Sequence, residues 1–184
     1  MTQPAEYPSE LEDHIRLPNQ RLLHIRPLRP CDDGPIRELY SHLSPRTRYL
    51  RFLSPMPVLP DSVLSLMTSV DYRRRLALLA ELDIADGTEV VGLGSFGAID
   101  DGTAEVGLVV RDEWQRQGIG IALAARVLQA AEARGFTRFV AHVLWDNGVI
   151  RKLLNHVGHV LSTRTRHGVS EASFVRQPIE WRLK

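Results

Sequence analysis

The stretch from Glu105 to Gly120 constrains this chain most. It reads as a strand over Glu105-Val106-Gly107-Leu108-Val109-Val110, a polar loop, and then two glycines that open a helix. Gly118 and Gly120 remove side chains where the backbone must turn tightly or approach something closely. The spacing predicts a helix from Gly118 to Arg134. Ile121, Ala124, Ala125, Leu128 and Ala131 would form its buried face, with Arg126, Gln129 and Ala133 opposite. Gly135 is a C-terminal stop signal. The first N–H groups of such a helix are unpaired and point along its dipole toward a strand end. They form an anion site suited to a phosphate.

Several phosphate-loop patterns compete for this stretch. A Walker loop requires Gly-Lys-Ser/Thr, but Ile121 and Ala122 follow Gly120. A dinucleotide fingerprint requires a third glycine where Leu123 stands. The pattern Gln/Arg-x-x-Gly-x-Gly/Ala fits, as Gln115-Arg116-Gln117-Gly118-Ile119-Gly120. A bare glycine turn between strand and helix is the alternative without a ligand. The order of strand, loop, helix, strand and Asn147-led helix favours the ligand site.

With these features the sequence resembles the GCN5-related N-acetyltransferases over roughly residues 22–176. The resemblance implies an α/β (α+β) fold, a single mixed and mostly antiparallel sheet flanked by helices. It implies acetyl-CoA as co-substrate, with its pyrophosphate on the amides of residues 116–120. Leu108, Val109, Val110, Gln115, Arg116, Gln117, Gly118, Ile119, Gly120 and Asn147 would form the cofactor-binding set. The run Ser44-Pro45-Arg46-Thr47-Arg48-Tyr49-Leu50-Arg51-Phe52, then Asp71-Tyr72 and Ala104-Glu105, is similar to the acetyltransferase domain of bacterial protein lysine acetyltransferases. Those enzymes often carry a second regulatory domain, and none is expected within these 184 residues.

Composition narrows the class further. A net charge of +1 gives no basic field for nucleic acid or an anionic membrane. Cys31 is the only cysteine, so no internal disulfide forms, and a reducing cytoplasm is the natural setting. Residues 1–20 lack the apolar segment of a signal peptide, and no stretch is apolar enough to span a bilayer. They are expected to form an N-terminal arm, poorly ordered or strapped on the surface, with residues 21–184 as one domain. Asp61 is expected to cap a helix with the face Val63, Leu66, Met67 and Val70.

Acetyl transfer to an amine needs a held carbonyl, a base and a released thiolate. The resemblance lays the thioester along Leu108 to Val110, with Gly107 leaving room beside it. Glu105 shares a face with Gly107. A lysine ammonium has a pKa of about 10.4, so a base is required near neutral pH, and Glu105 is the candidate. Asn147 matches the asparagine that opens the family's last helix, but Leu154 stands where a thiolate-protonating tyrosine is usual. His142 reads as a satisfied interior histidine, and Trp114 as packing the loop onto the sheet. His156 and His159 are separated by the helix stop Gly158, so no metal site is expected.

Arg46, Arg48, Arg51 and Arg73-Arg74-Arg75 are either solvated faces or contacts for acidic residues around a target lysine. Asp61, Asp71 and Glu105 are the carboxylates available to attract the amine. The resulting expectation is acetyl transfer to a primary amine, first a protein lysine and second a small-molecule amine. A non-catalytic acyl-CoA-binding module is the rival, favoured by Leu154.

Overall fold

The computed structural model describes residues 6–177. Eight strands form one sheet in the order β1-β2-β3-β4-β5-β6-β8-β7. They are β1 (Asp13–Arg16), β2 (Leu22–Pro27), β3 (Arg75–Ile84), β4 (Gly87–Ala98), β5 (Thr103–Val110), β6 (Arg138–Leu144), β7 (Gly158–Arg166) and β8 (Val169–Arg176). Every neighbouring pair is antiparallel except β5 and β6. Three helices, α1 (Asp33–Ser41), α2 (Pro45–Phe52) and α3 (Asp61–Thr68), stand between β2 and β3. Helix α4 (Ile119–Glu132) joins β5 to β6, and α5 (Gly148–Val157) joins β6 to β7. This is the mixed α/β architecture that the sequence predicts.

Alternation along the strands divides the core in two. Leu76, Leu78, Ala80, Ala104 and Val110 belong to a larger cluster with α4 and α5, whereas Ala77, Leu79, Leu93 and Val109 belong to a smaller one with α1 and α3. Local signals set the helix ends. Ser44 caps α2 by accepting from the Thr47 amide at 3.1 Å, with Pro45 in the first turn. Gly135 adopts φ +94°, and the Phe136 amide reaches back to the Ala131 carbonyl at 3.2 Å, closing α4 as the sequence predicts.

Other expectations need correction. On α4 the buried residues are Ile119, Ala122, Leu123, Val127, Leu128, Ala130 and Ala131, while Ile121, Ala124 and Ala125 are only partly covered. The helix is apolar almost all round, so its own period is a weak guide. Its rotation is fixed by Gly92 and Gly94 on β4, where a Cβ would stand 3.0 Å from Leu123 Cδ1 and 2.9 Å from Val127 Cγ2. Helix α3 buries Leu64 and Thr68 and leaves Leu66 60% exposed. Asp61 lies inside its first turn and pairs with Arg37 at 2.5 Å instead of capping it. Residues 13–16, expected within an arm, form the edge strand β1 on β2. The turn after β1 buries Leu17.

A buried ionic cluster ties the start of α1 to β2 and β3. Arg26 holds Asp32 through two bonds of 2.7 and 3.2 Å and holds Glu81 at 2.8 Å. His24 Nδ1 lies 3.0 Å from Glu81. Burial pushes the Asp32 carboxyl up, but Arg26 and the Arg29 amide outweigh it and hold the carboxyl below its ordinary range. A carboxyl depressed in the folded state stabilises the fold above its unfolded pKa of about 3.9 and stops doing so as pH falls through the lower folded value. Asp32→Asn should therefore destabilise the protein by about 3 kcal/mol at pH 7, the scale for breaking a buried pair. The deficit should shrink below pH 4, as read from denaturant midpoints at the two pH values.

Candidate active site

Strands β5 and β6 pair over only three residues, Thr103–Glu105 against Arg138–Val140. Beyond them the strands part, and a cavity of about 340 Å³ opens between β5, β6, α2, α4 and α5. The pairing fails because each strand follows its own partner: β5 stays with β4 to Val110, and β6 stays with β8 to Leu144. The Arg111 amide bonds the Val91 carbonyl at 2.9 Å, so by alternation Val109 and Gly107 face β4 as well. Val106, Leu108 and Val110 turn their backbone groups into the gap. Of the three residues expected to hold the thioester, Leu108 and Val110 thus have amides free for it, and Val109 does not. The Val110 carbonyl accepts from Gln115 Nε2 at 3.0 Å, which fixes the start of the loop.

The loop has the form expected of an anion site. Arg116 and Gly118 take positive φ, +60° and +93°. Among the described residues, the amides of Arg116, Gln117, Gly118, Ile119 and Gly120 donate to no protein acceptor. Gln117 instead uses its side chain, donating to the Glu113 carbonyl at 3.0 Å and accepting from Asn19 at 2.9 Å. The β1–β2 turn supports the loop from below, since a Cβ on Gly118 would lie 3.2 Å from Pro18 Cδ. Trp114 packs against the larger core cluster, with Arg21 stacked on it at 4.9 Å. Gly120 differs in one respect from expectation. A Cβ there would point at Leu108 and Val110, at 3.6 and 3.9 Å, and so toward the strand. Its bareness keeps the helix start clear of the gap edge.

On the opposite face of β5, Glu105 and Gly107 point toward α2. The Glu105 carboxylate is 55% exposed, and His142 Nδ1 lies 3.2 Å from it. His142 Nε2 lies 3.5 Å from Glu171 on β8, so the three side chains form a row across β5, β6 and β8. His142 is therefore not the interior histidine that the sequence suggests. Ala141 and Val143 point into the core, and His142 takes the other face. Gly107 also has a role that the sequence hides. A Cβ there would meet Arg51 Nη2 at 2.6 Å and Cζ at 2.7 Å, so the missing side chain houses a guanidinium. Asn147 is buried at the cavity wall, and its Oδ1 caps α5 by accepting from the Ile150 amide at 3.2 Å. Leu154 lines the same wall, and no tyrosine hydroxyl does among the described residues.

The remaining candidates lie elsewhere. Asp71 accepts from the amides of Arg73, Arg74 and Arg75 at 2.7–2.9 Å, and Asp61 is held by Arg37, so only Glu105 of the expected carboxylates lines the cavity. Arg48 is committed to the Pro57 and Ser41 carbonyls, and Arg74 pairs with Asp101. No group of three or more His, Cys, Asp or Glu side chains is placed to hold a metal ion among the described residues.

The family model described as the acetyltransferase (GNAT) family matches residues 36–159. The chain is 27% identical over 145 residues to acetyltransferase PA5475 of Pseudomonas aeruginosa, covering 78% of each. The GNAT domain of S. lividans PAT superposes with a TM-score of 0.83 at 26% identity, over 92% of this chain and 99% of that one. The yncA acetyltransferase of Salmonella typhimurium, whose structure contains acetyl-CoA, superposes with a TM-score of 0.65 at 20% identity, over 88% and 96%. That is a likeness of fold.

The free amides yield a direct test. Gly120→Glu places bulk and negative charge at the gap edge beside them and should abolish acetyl-CoA binding by calorimetry with the helical signal retained. Gly118→Ala should cost about 1 kcal/mol of stability, because the backbone is left-handed there. Unchanged acetyl-CoA affinity in a folded Gly120→Glu protein would remove the loop from the site.

Proposed function

The chain belongs to the acetyltransferase (GNAT) family, and from that premise we propose that it uses acetyl-CoA to acetylate the side-chain amine of protein lysines with Glu105 as general base. The observation that carries the base assignment is the position of Glu105. It lies at the last β5–β6 pair, where the gap opens, on the face that α2 leaves accessible. Acetyl-CoA supplies an acyl carbonyl on a thiol of modest basicity. The residues of this chain supply the rest. The amides of residues 116–120 can hold the pyrophosphate, and the backbone edge at Leu108 and Val110 can bind the pantetheine arm and polarise the carbonyl. Glu105 attracts the ammonium, takes its proton and leaves the free amine beside the carbonyl. His142 orients that carboxylate and links it through Glu171 to solvent, giving the proton a way out. Leu154 offers no proton, so the leaving thiolate, with a pKa near 8.5 for a free thiol, takes one from water.

The protein acceptor is supported by the likeness to the GNAT domain of S. lividans PAT over nearly the whole of both chains. It is supported also by the exposure of the Glu105–His142–Glu171 row, which an extended substrate can reach. Arg46, Arg73 and Arg75 are exposed and can meet acidic surface around a target.

Glu105→Gln should lower kcat by about 10²-fold or more, the scale for one general base, with little change in acetyl-CoA affinity. Stopped-assay thiol release and calorimetry on the same preparation check both halves, and undiminished turnover at neutral pH would exclude Glu105 as the base. For the acceptor, second-order rate constants should be higher for folded proteins than for spermidine and should fall with added salt. Faster, salt-insensitive acetylation of the polyamine would assign a small-molecule acceptor.

A further inference from the structure

Arg51 occupies the cavity in a way that neither the fold nor the transfer chemistry requires. Its guanidinium lies over Gly107, at the point where β5 leaves β6, and it lines the cavity with Glu105, His142 and Asn147. The other walls are mostly apolar, including Leu108, Val127 and Leu154. The contacts of Arg51 are poor for a half-buried cation. One nitrogen lies 3.5 Å from Ser95 Oγ, the guanidinium lies 5.5 Å from the centre of the Phe52 ring, and Nε is buried with no partner. No carboxylate of the described residues forms an ion pair with it. Arg48, one turn earlier on α2, also has an unpartnered Nε, but its other nitrogens donate to two carbonyls at 2.6 and 3.0 Å and its guanidinium lies over the Tyr40 ring.

A half-buried guanidinium with no carboxylate hydrogen-bonded to it is costly, and burial pushes its proton affinity down with only the charge of Glu105 opposing. Folds avoid that cost unless a partner arrives. Gly107 makes the arrangement possible, because a Cβ there would displace the guanidinium from this position. The planar fork of Arg suits a carboxylate, which it can hold through two parallel hydrogen bonds.

We propose that Arg51 is a recognition site for a carboxylate brought into the cleft by one of the two substrates. The inference rests on the transfer reading above, which makes this cavity the meeting place of donor and acceptor. The carboxylate has two sources. It can be the far end of a dicarboxylic acyl group, as in succinyl-CoA, or it can belong to the acceptor, as an acidic residue beside the target lysine.

Two arms separate these sources. The first compares the affinities of acetyl-CoA and succinyl-CoA by calorimetry. The second compares kcat/KM with acetyl-CoA for two peptides that differ only in Glu or Gln beside the lysine. One arm should favour the carboxylate-bearing partner by about tenfold or more, the scale of a charge-assisted hydrogen bond. Arg51→Met should bring that ratio close to one, and Arg51→Lys, which keeps the charge and loses the fork, should bring it part of the way. Ratios near one in both arms of the wild-type protein overturn the proposal, as does a preference that persists in folded Arg51→Met. Should Arg51→Met fail to fold, an undiminished preference in Arg51→Lys overturns it. Turnover that ignores the carboxylate sinks the Arg51 site and leaves the transfer reading intact. Carboxylate-dependent binding without turnover on any amine does the reverse.

Discussion

The short parallel pairing of β5 with β6 is the constraint on which the site depends. Each strand is fully partnered on its other side, so the sheet does not unravel when the two part after Glu105 and Val140. The separation leaves an unsatisfied backbone edge in the middle of a sheet, where such edges are normally paired or covered. That edge is polar, fixed in place and sheltered by α4 and α5. It can bind an extended ligand as a substitute strand, with no rearrangement of the protein.

The gap also passes through the sheet, so the two faces take separate tasks. On the α4 side are the loop amides and the Leu108–Val110 edge, which suit a long anionic donor. On the α2 side are Glu105, His142, Glu171 and Arg51, all of them ionisable. Substrates that approach from opposite faces need not compete for space, and charge on one face does not burden the other. The larger apolar cluster fixes α4, and the smaller one lies on the other face with α1 and α3.

Much of this was legible in the residues. The Gln115–Gly120 loop, the Asn147 cap and the Gly135 stop depend on local rules of turn and cap chemistry, and these hold with little help from the rest of the fold. What escaped depends on distant neighbours. The rotation of α4 is set by glycines on β4, and no period within an almost uniformly apolar helix contains that information. The edge strand β1 is short and polar, and it exists because β2 offers it a ladder. The outward placement of His142 is hidden because a strand with one buried face looks the same in sequence from either side. Arg51 is indistinguishable in sequence from Arg46 and Arg48, because helical spacing shows which residues share a face and not which of them lacks a carboxylate partner. The glycine at 107 was the available clue, since a missing side chain on one strand implies an occupant from another element.

Asp112 connects the two halves of this arrangement. It lies between the end of β5 and the anion loop, and its carboxylate accepts from the Ser44 amide at 2.9 Å, the Ser44 hydroxyl at 2.8 Å and the Thr47 hydroxyl at 2.7 Å. The loop therefore grips the first turn of the helix whose last turn carries Arg51. One short helix thus joins the anion loop to the guanidinium on the far side of the sheet, and its first turn is held to the loop by the same three hydrogen bonds.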